Sequence, residues 1–292
     1  MTRPMAAPSL VRAMMKGAID YAGLFPPAGL DMATAVRNYD DYRSGPHAWM
    51  LGRFIVPVER LDEFAACLPF EADSARRISV TAKPADAPAL AEFNQKHGVR
   101  ARIDSVETPV MSPKDVPALT ALSREYLVYT EVNIAADPSP MIAALAQAGV
   151  RAKVRTGGVT PNTIPSVEQV ARFILACRKG GVVFKATAGL HHALRASYPL
   201  TYEPDAPKAE MFGFMNVMLA SAVAATGGNA ADVASALRAG GGIVANSESA
   251  TLPGGRQVPR ETMAQARKTG IASFGSCSFD EPVQELRERD LL

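Results

Sequence analysis

Cysteine is scarce in this chain. Its 292 residues include three, Cys67, Cys177 and Cys277, far apart and in no C-x-x-C spacing. An odd number so placed argues against a disulfide framework or a cysteine-built zinc site, and suits a reducing, cytoplasmic setting. An excess of either charge is also missing. Thirty-one Lys and Arg face 29 Asp and Glu, a formal net charge of +2 with no basic cluster. Neither a nucleic-acid partner nor an anionic membrane surface is expected. No apolar run reaches the roughly 18 residues of a membrane span without strong breakers, so none is expected. Nor do the first 17 residues contain a signal-peptide core. The nearest approach to a span, MFGFMNVMLASAVAAT (211–226), reads as a buried helix. No repeat at a solenoid period is present.

What is present is alternation. Strand-like runs occur at 18–25, 48–57, 77–83, 99–107, 126–134, 150–156, 181–187 and 271–277. Helix-like patterns separate them. One follows an Asp31 N-cap, and others run over 85–97, 138–148 and 166–179, the last with a Ser166/Gln169 capping box. A parallel neighbour needs a crossover, usually helical, so the alternation predicts parallel strands. Eight of them in about 250 residues predict an α/β fold, a (β/α)8 TIM barrel over 1–292 as a single domain. A doubly wound sheet is the rival, but the first run is followed by FPPAG, not a glycine-rich phosphate turn. The rhythm breaks at 196–270, which reads as an insertion of extra helices before the last strand. Its Gly- and Ser-rich run 240–255 is expected to be a mobile loop.

Active sites of such barrels lie at the C-terminal strand ends. There the sequence offers Asp104 and Glu107, Glu131 and Asn133, Lys153 and Arg155, Lys185 and Thr187 followed by His191 and His192, and finally Ser276, Cys277 and Ser278. A strand period of two puts Lys153 with Arg155, and Lys185 with Thr187, on one face. Desolvation or a second cation pulls a lysine toward neutral amine, which can attack a carbonyl and form a Schiff base. Two lysines on neighbouring strands suit this, one as nucleophile and one as the cation that lowers its partner's pKa. The bland alternative is two ammonium groups capping strand ends in solvent.

These segments carry a resemblance. AKVRTGG and FKATAG resemble the two lysine motifs of deoxyribose-phosphate aldolase and its class I aldolase relatives. RIDSV, IDYAGLFPP and FGSCS are similar to that family's fourth, first and eighth strands. The resemblance spans most of 18–195 and then 271–278. It implies a (β/α)8 barrel with Lys153 as Schiff-base former, Lys185 as pKa-lowering relay and Asp104 as proton shuttle. The chain departs from the family at Arg155, where a small residue is usual, and at Ala188-Gly189, where a glycine pair is usual. Asp280 and Glu281 after FGSCS disfavour a phosphate. AGLHH and GSCSF resemble instead an uncharacterised bacterial barrel family.

The expected function is therefore an aldolase-like lyase that acts on a small carbonyl compound through a lysine iminium, without a cofactor. Arg155 with His191 or His192 would hold an anionic group, and Thr187, Glu131, Ser276, Cys277 and Ser278 complete the substrate surroundings. One alternative is a divalent-metal-dependent lyase or hydrolase with Glu107, Glu131 and His191 as ligands. Another is a barrel that binds a small molecule without reacting. Cys277 is also a candidate nucleophile with His191 or His192 as base, against the plainer reading of a packed thiol. The only partner expected is a small-molecule substrate, besides a second copy in a homo-oligomer.

Overall fold

The computed structural model describes residues 9–69 and 74–292. Eight parallel strands close into a barrel, interleaved with helices, which makes the chain an α/β (β/α)8 barrel. The barrel strands are β1 (Ile19–Tyr21), β2 (Leu51–Pro57), β3 (Arg76–Thr81), β4 (Ala101–Glu107), β5 (Leu127–Glu131), β6 (Arg151–Arg155) and β7 (Phe184–Thr187), closed by β13 (Ile271–Ser276) between β7 and β1. Each of the eight expected runs supplies one. Helices α1 (Ser9–Met15), α2 (Met32–Ser44), α3 (Leu61–Cys67), α4 (Ala87–His97), α5 (Thr120–Ser123), α6 (Ser139–Ala148) and α7 (Val167–Gly180) lie before β7 in the chain. Asp31 caps α2 through the backbone N–H of Thr34, and Ser166 and Gln169 form the reciprocal box on α7.

The segment between β7 and β13 is built as follows. An antiparallel hairpin, β8 (Ala196–Pro199) and β9 (Lys208–Met211), precedes α8 (Phe214–Ala225) and α9 (Ala230–Arg238). The expected buried helix is α8, with residues Phe214 to Ala224 all buried. The Gly- and Ser-rich run, expected to be a mobile loop, contains two short strands. It contributes β10 (Val244–Ala245) and β11 (Ser249–Thr251) to a three-stranded antiparallel sheet with β12 (Gln257–Pro259). Ala250 and Leu252 bury apolar side chains there, which anchors the run. Helix α10 (Arg260–Thr269) leads into β13, and α11 (Asp280–Arg287) follows it. Among the described residues, no helix is long and apolar enough to cross a membrane.

The inside of the barrel is what sets this chain apart. Branched aliphatic layers usually fill such a lumen. Here β6 reads RAKVR, with Ala152 and Val154 buried toward the helices and arginine and lysine on the alternate positions. Asp20, Ser79, Ser105, Glu107, Lys185 and Ser273 are all buried. Burying so many polar groups is tolerable only if they bond to one another.

Candidate active site

Lys185 sits at the centre of that network. Its Nζ donates to Asp20 Oδ2 at 2.6 Å and to Glu107 Oε1 at 2.7 Å. Its strand, β7, neighbours only β13 and β6, so bonds to β1 and β4 must cross the lumen. The lysine is 1% exposed and lies 5.5 Å from the Tyr129 ring centroid. Burial alone would pull its pKa down. The Asp20 and Glu107 carboxylates outweigh burial and raise it, so Lys185 is a fixed ammonium. Lys185 is thus a cation, as the expected pair requires of one lysine, but two carboxylates stand against its charge.

Asp20 is held from three sides. Its Oδ2 also accepts the Ser273 hydroxyl at 2.8 Å, and its Oδ1 accepts the Arg53 backbone N–H at 2.9 Å. The approach of β2 requires Gly52, since a Cβ there would collide with Asp20 Oδ1. Glu107 is the bridge between the lysines. Its Oε1 takes Lys185 and the Ser79 hydroxyl, at 3.2 Å, while its Oε2 takes Lys153 Nζ at 3.1 Å. Burial would raise the Glu107 pKa, but Lys185 and Lys153 hold it down at about 2. Lys153 also pairs with Glu131 at 3.4 Å, and Arg155 reaches Glu131 at 3.3 Å.

Lys153 differs from Lys185 in access. Its side chain is 14% exposed and it lines two cavities at the C-terminal mouth, of about 350 and 690 Å³. Glu107, Arg155, Thr81 and Thr163 line both as well. The smaller cavity also touches Thr187, His191 and Cys277, and the larger touches Glu131 and Asn133. Ala188 adopts φ 63°, a left-handed conformation, on the wall of the smaller cavity. For a non-glycine residue this costs about 1–2 kcal/mol, strain of a kind that collects at functional sites.

Asp104 is not beside the lysines. It receives Arg53 at 2.5 and 2.9 Å and Arg77 at 2.9 Å. Burial pushes the Asp104 pKa up, but Arg53 and Arg77 bring it below the usual carboxylate range. The carboxylate in reach of both amines is Glu107, three residues further along β4. The three residues named for a metal, Glu107, Glu131 and His191, are not drawn together either. Among the described residues, no three His, Cys, Asp or Glu side chains converge to hold an ion. Glu107 is committed to the lysines, and His191 Nδ1 to Glu281 Oε2 at 2.9 Å.

The two histidines part company. His191 faces the smaller cavity. Burial lowers its pKa, but hydrogen bonds with Cys277 and Glu281 more than compensate and push it up to about 9. His192 turns to Glu285 at 2.8 Å and stacks on Tyr198. Ser276 Oγ lies 3.4 Å from His191 Nδ1, and Ser278 Oγ accepts the Glu281 N–H at 3.2 Å. Sequence reasoning missed Asp20 and Glu281 as site residues. Asp20 left a signal, a lone acid between Ile19 and Tyr21 in an otherwise apolar strand.

No family model matches this chain, and no curated protein does. Among solved structures it is similar to a lysine/ornithine decarboxylase from Vibrio vulnificus, complexed with cadaverine. The identity is 12% and the TM-score 0.38, over 62% of this chain. The match spans 48% of that protein's length.

Proposed function

We propose that this barrel is a lyase-type enzyme that makes or breaks a carbon–carbon bond beside the carbonyl of a small anionic compound, through an iminium on Lys153. The observation that carries this is the placement of Lys153 Nζ on the walls of both cavities, 3.1 Å from a carboxylate fixed by a second, buried lysine. Lys153 gives a proton to Glu131, its other carboxylate partner at 3.4 Å, and its amine adds to the carbonyl carbon. Glu131 returns the proton to the carbinolamine hydroxyl, which leaves as water, while the fixed Glu107 anion faces the iminium. The iminium then accepts the electron pair of the adjacent carbon–carbon bond as that bond breaks, forming an enamine, while the hydroxyl on the departing carbon gives its proton to Glu131 and that carbon becomes a carbonyl. Addition runs the same steps backward.

In this reading Lys185 is not the deprotonating neighbour but a fixed cation. It keeps Glu107 anionic and aimed at Lys153. The iminium is a cation in the place of an ammonium, so the cluster carries the same charge before and after the iminium forms and little reorganisation is needed for that step. Arg155 and His191 present positive charge to the smaller cavity. Arg155 holds Glu131 only at 3.3–3.5 Å and is free to turn to a substrate carboxylate. Borohydride reduction in the presence of 2-oxo acids and small hydroxyaldehydes tests the reading. A reduced adduct is expected on Lys153 and absent from Lys153→Arg. An adduct on Lys185 instead would overturn the assignment to Lys153, and no adduct on either lysine with any of these compounds would favour a barrel that binds without reacting.

A further inference from the structure

The cavity that Lys153 lines has a second nucleophile on another wall. Cys277 follows the end of β13 and lines the smaller cavity. Its Sγ lies 3.8 Å from His191 Nδ1 and 3.9 Å from Nε2. Nδ1 is engaged by Glu281 at 2.9 Å, so Nε2 is the nitrogen left to face the sulfur. The Tyr202 hydroxyl stands 3.7 Å from the same sulfur. A thiol between an imidazole that a carboxylate orients and a hydroxyl donor is a nucleophile–base–orienter arrangement. A packed thiol looks different here. Cys177 is buried in α7 with no side-chain hydrogen-bonding partner among the described residues, and burial alone drives its pKa well above the ordinary value.

We propose that Cys277 is a reactive thiol, activated by His191 and Glu281, that takes soft carbon electrophiles entering the lysine cavity. The step balances simply. With a haloacetamide, sulfur bonds to the methylene carbon, the carbon–halogen bond breaks and halide leaves; the thiol proton passes to solvent, and the His191 imidazolium beside the sulfur stabilises the thiolate. The ionisable groups around the sulfur are few. They are His191, Glu281 and Tyr202, with Tyr21 and Asp280 beyond them on β1 and α11, and Lys153, Glu107 and Arg155 around the cavity. Of these, His191 and Tyr202 are within hydrogen-bonding reach of the sulfur. Its reactivity therefore depends on His191 above all, and it does not depend on the lyase reading.

The folded protein carries its own control. Cys67 is more exposed than Cys277 but makes no hydrogen bond with a histidine among the described residues, and Cys177 is buried. The native full-length protein is treated with limiting iodoacetamide at pH 7 and the three cysteine peptides are followed by mass spectrometry. Cys277 is expected to react first, about tenfold faster than Cys67, in keeping with thiols beside a cationic or basic partner. His191→Gln is expected to bring Cys277 down to the Cys67 rate or below, and Glu281→Gln to slow it by a smaller factor. Circular dichroism on each variant confirms that it is folded. Labelling of Cys67 ahead of Cys277 in the wild-type protein overturns the proposal. So does a Cys277 rate unchanged in folded His191→Gln. If His191→Gln does not fold, the wild-type order together with Glu281→Gln decides the matter.

Discussion

The two lysines differ by one property, access to the cavity, and their substitutions should differ accordingly. Lys185→Met removes the cation that lets Asp20 and Glu107 stay buried as anions. Breaking a buried pair in this way costs on the order of 3–5 kcal/mol. Lys153→Met leaves Glu107 with Lys185 and removes a partly hydrated ammonium, at a cost of about 1 kcal/mol. Urea denaturation of both variants measures the contrast, and equal losses would mean that Lys185 is not the centre of the network. The sequence made both lysines visible as charges at strand ends. It hid their partners, because Asp20 and Glu107 lie 165 and 78 residues from Lys185 and meet it only when the barrel closes. The choice of Asp104 over Glu107 failed for a local reason. Ile103 pairs with Ile78 and Ser105 with Ser79, so Asp104 is an extra residue bulged from β4. A bulge shifts the inward–outward alternation by one, and nothing in RIDSVE announces it.

At the scale of elements, long periodic segments were the legible part. The pattern and capping box of α7 fixed its start at Val167, and the apolar run before residue 226 is α8. The hairpin of β8 and β9 was not legible, since ASYP and KAEM are short and carry no clear apolar alternation. What α8 holds in place could not be read either. Asn216 is fully buried in it, and its amide donates to Ala236 O and Ala239 O while its oxygen accepts the Arg195 N–H at 2.8 Å. One side chain thus ties the end of α9 to the start of β8, just after the segment that carries His191. Asn216→Leu keeps the volume but orphans these backbone groups. Each buried group left unsatisfied costs about 1–3 kcal/mol, so a loss of at least that size is expected in thermal or urea unfolding. A variant within about 0.5 kcal/mol of wild type would show that the bonds are dispensable.

Over the whole molecule, the buried charges predict a stability profile with two separate limbs. Glu107 is depressed from 4.5 to about 2 in the folded state. A depressed acid contributes stability above its unfolded value and loses it as pH falls through the folded one, so the acid limb lies between about 4.5 and 2. His191 is raised from 6.5 to about 9. A raised base contributes fully below 6.5 and loses its contribution as pH rises through about 9, so this limb starts near neutrality. Lys185, also raised, adds nothing to the decline until pH exceeds its ordinary 10.5. A tenfold change in proton affinity between the unfolded and folded chain is worth about 1.4 kcal/mol, so both limbs are on the order of a few kcal/mol. Urea midpoints recorded from pH 3 to 10 should therefore be highest between roughly pH 5 and 6.5 and fall on either side. His191→Gln should flatten the decline above 6.5 and trim the acid limb only by the share of its partner Glu281, whereas Glu107→Gln should reduce the acid limb and leave the other in place. The limbs separate because the His191–Glu281 pair and the lysine cluster, although they share one barrel mouth, have no hydrogen bond between them among the described residues. A single substitution that erased both limbs would mean that the two act as one network.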